Sequence, residues 1–226
     1  MDICKEILHF VGEITLEELR KEQKMTNYWD TNNVLMIGTL EKPFTFDHSV
    51  FDDTFYSTYL NVERTSGAID HIPVTISEER LVNLSDDIYD KKVLIDGYIV
   101  TTRNETGKLL VNVRIKGIVP KDIETEDKNE VYLSGNVTNK PLVRITEKGR
   151  VLCDVSILVK RAHRKVSFVP AIAWEGSAHA MARLAPNSRV FTYGRLQSRI
   201  YTKVFEDGST KEFEVYELSV GRVTYL

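Results

Sequence analysis

Three aromatic residues and seven cations are interleaved over one stretch of the chain. Phe168, Trp174 and Tyr201 are the aromatics, and Lys160, Arg161, Arg164, Lys165, Arg195, Arg199 and Lys203 surround them. Phe168 and Trp174 are six apart, so on a strand of period two they point to the same side. Arg195, Arg199 and Tyr201 share parity on an unbulged strand. Flat aromatic faces stack on bases, and cations beside them meet phosphates. This is what sequence-tolerant binding of a single nucleic-acid strand needs. The plainer alternative is that strand aromatics pack in a core; the basic flank tips the three together toward stacking. Arg150, Arg183 and Arg189 read as solvated surface charges.

Other chemistry finds less support. No Ser/His/Asp grouping, phosphate-cradling glycine loop or metal-ligand spacing stands out, so no catalytic residue, metal or cofactor is expected. The five histidines (His9, His48, His71, His163 and His179) are scattered, and His163 reads as a loop residue of the basic turn. Cys4 and Cys153 lie in apolar contexts and read as reduced thiols of a cytoplasmic protein. The chain contains no apolar run long enough for a membrane span and shows no secretion signal.

Charge is divided unevenly. Residues 1–127 carry 14 Lys+Arg and 24 Asp+Glu, whereas residues 128–226 carry 16 and 9, so nets of −10 and +7 sum to the overall −3. Such asymmetry suggests that the second half meets a polyanion.

The elements that must position these residues come in duplicate. Gly38, Pro43, Arg64, Pro73 and Gly97 recur as Gly135, Pro141, Arg161, Pro170 and Gly194, at an offset of about 97 residues. Alternation predicts strands in the first copy at 33–40, 55–63, 70–77, 92–101 and 109–119, with a short helical stretch at 78–87. The second copy repeats the order at 130–138, 151–160, 166–174, 189–201 and 213–223, with a helix at 177–184. Its last hairpin, turning at Glu206-Asp207-Gly208-Ser209, is about six residues longer. Five strands with a helix between the third and fourth is the order of the OB-fold, a Greek-key barrel. Glycines inside strands one and four suit its sharp bends. The expected fold class is therefore mainly β: two tandem OB-fold barrels behind a short N-terminal helical segment. The expected division is 1–26 helical, 27–120 first OB-fold, 121–129 linker and 130–226 second OB-fold.

The copies differ in their side chains. Across the offset, Phe168 answers to His71, Trp174 to Ser77, Tyr201 to Asn104, Lys160 to Glu63 and Arg195 to Tyr98; Arg161 keeps Arg64. The aromatics of the first copy (Phe44, Phe46, Phe51, Phe55, Tyr56 and Tyr59) crowd its first two strands instead. That points to a packing role, an interface or a different ligand face, and its acidity is expected to repel a phosphate backbone.

Three stretches of the second copy resemble bacterial single-stranded DNA-binding proteins. They are Val131-Tyr132-Leu133-Ser134-Gly135-Asn136-Val137-Thr138-Asn139-Lys140-Pro141, the strand from Phe168 to Trp174, and Tyr193-Gly194-Arg195-Leu196-Gln197-Ser198-Arg199-Ile200-Tyr201. The hairpin from Asp207-Gly208 into 213–220 fits as well. The resemblance implies base-stacking roles for Phe168, Trp174 and Tyr201. It implies a homodimer presenting four OB-folds, and action in replication, recombination or repair beside other such proteins. Members usually continue into a Gly/Pro-rich tail with an acidic tip. Here Gly221-Arg222-Val223-Thr224-Tyr225-Leu226 runs straight from the last strand, so tail-mediated recruitment is not expected. Stacking and phosphate contacts do not read the 2′-hydroxyl, so RNA stands beside DNA as a ligand. The competing reading is a primosome or replisome interaction factor with vestigial nucleic-acid binding.

Overall fold

The computed structural model describes residues 30–204 and 207–226. The helical segment expected at the N-terminus, with Cys4, lies outside the described residues. The described chain is mainly β, with an OB-like fold. Twelve strands follow in order: β1 (Asn32–Leu40), β2 (Thr45–Val50), β3 (Asp53–Glu63), β4 (Ile69–Ser77), β5 (Lys92–Arg103), β6 (Leu109–Lys121), β7 (Lys128–Val137), β8 (Leu142–Ile145), β9 (Val151–Lys160), β10 (Val166–Trp174), β11 (Arg189–Val204) and β12 (Thr210–Tyr225). Helix α1 (Glu78–Leu81) and a 3-10 turn (Asp86–Tyr89) separate β4 from β5, and α2 (Glu175–Met181) separates β10 from β11.

In the first copy β1 pairs with β3 and β5, β5 with β6, β6 in parallel with β4, and β4 with β3, so the strands close a ring. The second copy closes the same ring through β7, β11, β12, β10 and β9. Inside the first lie Met36, Leu60, Ile72 and Ile95; inside the second lie Leu133, Ile157, Leu196 and Leu218. The repeated glycines sit where the rings are tightest. A Cβ on Gly38 would stand 2.2 Å from the Asn61 carbonyl oxygen, and one on Gly135 2.4 Å from that of Leu158. Gly97 and Gly194 sit at matching register shifts, beside the Arg114 and Ser219 carbonyls. Only hydrogen fits there.

Two strands go beyond the sequence reading. β2 and β8 are short edge strands with almost no buried position, so they lack the alternation that marks a strand. The last hairpins also differ more than expected. Thirteen residues lie between the pair Ile99↔Val113 and 21 between Leu196↔Leu218, so the second hairpin is eight residues longer.

The copies join edge to edge. β1 pairs antiparallel with β7 from Asn32↔Leu133 to Ile37↔Lys128, and Val34 meets its own counterpart, Val131. An approximate twofold axis therefore passes through that pair, and contacts occur twice around it. Asp30 takes the Arg189 guanidinium at 2.6 Å, and Asp127 takes the Lys92 ammonium at 2.7 Å. The Lys160 N–H donates to Asp30 Oδ2 at 2.8 Å, and the Glu63 N–H donates to Asp127 Oδ2 at 2.6 Å. The Phe168 N–H donates to Thr101 Oγ1, and the His71 N–H to Ser198 Oγ. Arg189 is thus a bridge between copies rather than a solvated charge. Between β6 and β7 only 122–127 lie outside strands, and the Lys92 ammonium, which donates to the Thr125 carbonyl at 2.6 Å, holds them to β5.

Candidate nucleic-acid interface

The basic turn between β9 and β10 is sharply folded. The Lys165 N–H donates to the Ala162 carbonyl, and both central residues are left-handed, His163 at φ 56° and Arg164 at φ 58°. This mirror-image turn follows the twist of the strands it joins. It leaves Arg164 and Lys165 exposed, with Lys160 exposed at the end of β9.

Because of the twofold arrangement, this turn lies over the other copy. Lys160, Arg161, His163 and Lys165 line one wall of a groove of about 800 Å³, whose opposite wall is built by Phe55, Tyr98, Arg114 and Lys116 of the first copy. Aromatic and cationic groups are stacked on that wall. The Arg114 guanidinium lies 3.7 Å from the Phe55 ring centre, and the His48 ring stacks on the same Phe55 at 5.0 Å. Phe51, 98% exposed at the tip between β2 and β3, borders the groove. Burial pulls the Arg114 and Arg161 guanidinium pKa values below the usual arginine range; both groups stay charged at neutral pH.

β9 and β10 pair in continuous register from Val166↔Lys160 to Trp174↔Leu152, so Phe168 and Trp174 do share a side of β10. They stand about 20 Å apart along the strand and form two platforms rather than one stack. Phe168 is 41% exposed. Trp174 already carries a cation, the Arg150 guanidinium 4.7 Å from its ring centre, and Arg150 also reaches Glu175. Arg150 is therefore a partner of Trp174 rather than a free surface charge.

The β11 cations are held differently. The stretch from Gly194 to Val204 is unbulged, so Arg195, Gln197 and Arg199 share a side, and Tyr201 follows at the same parity. A side-chain relay runs along it. Arg195 donates to Gln197 Oε1, Gln197 to Glu217 Oε1 at 3.0 Å, and Arg199 to the same oxygen at 2.9 Å. Burial, with Arg64 next, lowers the Arg195 pKa. Arg199 lines a second cleft, of about 460 Å³, between the copies; Pro73, Pro170 and Tyr216 line it too. In the first copy, Arg64 is tied to buried Asp70 and reaches the Ser198 carbonyl. Tyr201 and Lys203 face Phe213 and Lys211 in the backbone register of the long hairpin; their side chains lie outside the described residues.

The structure thus gathers Lys160, Arg161 and Lys165 into one groove, leaves Arg164 on the turn beside it, and sets Phe168 and Trp174 along β10. It puts Arg195 and Arg199 in a hydrogen-bonded relay. Arg114 and Lys116 belong to the groove although little in the sequence singles them out, and Phe55, one of the aromatics crowding the first copy, joins them there. The spacing of Arg114 and Lys116, two apart on a strand, was the available signal, submerged in the acidity of that half.

Residues 128–226 match the model of the single-strand binding protein family. Two solved structures of the single-stranded DNA binding protein from Thermus aquaticus superimpose on most of the chain. The wild-type crystal structure gives a TM-score of 0.66 at 18% identity, covering 87% of this chain and 93% of that one. A deletion mutant of it gives 0.66 at 18%, covering 89% and 96%. A comparison with curated protein sequences finds no match. The structural likeness establishes the fold. The family match bears out the resemblance to bacterial single-stranded DNA-binding proteins, and it falls on the second copy.

Proposed function

We propose that the protein is a non-catalytic, sequence-tolerant single-stranded DNA-binding protein built from two tandem OB-folds. The observation that carries this is the family match over 128–226, the segment that holds Phe168, Trp174, Tyr201 and the basic β9–β10 turn. Bases stack on the three aromatics, and phosphates meet Lys160, Arg161, Arg164 and Lys165. Lys203 and the exposed side of Arg199 extend the path toward the long hairpin. Two such chains would present four OB-folds, and the sphere of action would be replication, recombination or repair in the cytoplasm.

Trp174 supplies the test. In a Trp29→Phe background it is the sole indole, so a pyrimidine oligonucleotide is expected to quench tryptophan fluorescence saturably. Affinity no tighter than millimolar, with a helicase or primase recovered on the protein as bait, would favour the interaction-factor reading instead.

A further inference from the structure

Two half-buried guanidiniums, one from each copy, line the groove beneath the basic turn with no carboxylate paired to either. Arg114 Nε donates to Thr75 Oγ1 at 3.0 Å, and its plane lies on Phe55. Arg161 Nη2 donates to the Val166 carbonyl at 3.3 Å, and its buried Nε has no hydrogen-bond partner. Among the described residues neither makes an ion pair within 4.0 Å; the two line the same groove, the charge of Arg161 reaches Arg114, and Tyr98 lies near enough to interact with both. Asp47 and Asp53 attract Arg114 only at longer range, and Asp30, also on the groove wall, is taken by Arg189. Like charges held together in partial burial are costly unless an anion joins them. The planar guanidinium fork fits a phosphate in particular.

We propose that Arg114 and Arg161 together clamp one phosphodiester of a single DNA strand passing between the two copies. Lys116, Lys160 and Lys165 flank that phosphate, and the carboxylate that Lys116 meets is that of exposed Asp96, at 3.7 Å. The acidic first copy is then a wall of the binding site rather than a repelling bystander. This assignment rests on the reading of the chain as a single-stranded DNA-binding protein.

The test is anisotropy of a fluorescein-labelled oligothymidylate titrated with the full chain across a salt series. Arg114→Gln and Arg161→Gln are each expected to weaken binding by about tenfold or more, the effect of losing a charge-assisted contact. Because both hold one phosphate, the double variant should lose less than the product of the two. Its slope of log K against log salt should flatten by about 0.7. Arg183→Gln, an exposed charge just past the end of α2 and outside the groove, should bind like the parent. If Arg114→Gln melts early through loss of its Thr75 bond, Arg161→Gln and Lys116→Gln carry the same test. Unchanged affinity and slope in these variants, while Phe168→Ala/Trp174→Ala binds more weakly, would overturn the clamp and leave the DNA-binding reading standing. Equal weakening by Arg183→Gln would also overturn it. Absence of binding by the parent chain would remove both.

Discussion

Gly38 and Gly135 stand where one strand crosses another so closely that a methyl group would enter the carbonyl oxygen of Asn61 or Leu158. Gly135→Ala is therefore expected to destabilise the protein by about 1–3 kcal/mol. For a chain of this size that is a fall in Tm of roughly 2–4 °C per kcal/mol, read from a thermal melt. Gly117→Ala, with open space around its Cβ, should leave the melt unchanged. Among the aromatics, Phe168 offers a partly open face, whereas Trp174 shares its ring with Arg150. Phe168→Ala should cost about 1–3 kcal/mol of oligonucleotide binding. Arg150→Ala should leave the fold intact and raise the quench at Trp174, because it uncovers the ring; a reduced quench would make Arg150 a co-binder instead. The close approach at the glycines and the open face of Phe168 were legible because each follows from residue type and position. Those of Arg195 and Arg199 were not. Their partner, Glu217, lies on the neighbouring strand, and its burial beside Gln197 appears only once the hairpin register is fixed.

Between strands, the junction rests on two matched ion pairs. The Asp30 carboxylate is 1% exposed and holds Arg189, while Asp127 is somewhat more open and holds Lys92. Breaking a buried pair strands the remaining charge, at a cost of about 3–5 kcal/mol. Arg189→Met is expected to lower the urea midpoint clearly, and Lys92→Met to lower it less. Equal midpoints for Arg189→Met and the parent would refute the role given to Asp30. The strands of the two rings were readable from alternation and from the repeated glycines. β2 and β8 were not, since a strand exposed on both faces leaves no periodic trace. The β1–β7 pairing was equally hidden. The run Val34-Leu35-Met36-Ile37 shows that β1 is buried on more than one side, but nothing in it names the neighbour. Charge balance has a related limit: a sum over 127 residues cannot show that Arg114 and Lys116 line the same groove as Arg161.

At the scale of the whole molecule, one chain already contains an approximate dimer, with Val34 on Val131 and the Asp–cation pairs of the junction made twice. Such an interface is self-complementary in all but sequence. Residues 128–226 alone would leave the β7 edge unpaired, an open template for a second strand. They are expected to associate through β7 on β7 about Val131, giving a dimer by sedimentation; a monomer at tens of micromolar would show that the first copy is more than a cover for that edge. The twofold arrangement also brings residues of both copies to one groove. Each copy's β-hairpin turn reaches over the other, and the basic turn of the second lies against the cationic wall of the first. The measurement that bears most directly on the central claim is titration of the full Trp29→Phe chain with oligothymidylate, following Trp174 fluorescence at several salt concentrations. Stacking and phosphate contact together require saturable quenching, with log affinity falling against log salt by about 0.7 for each phosphate neutralised. No quenching, or affinity indifferent to salt, would contradict it.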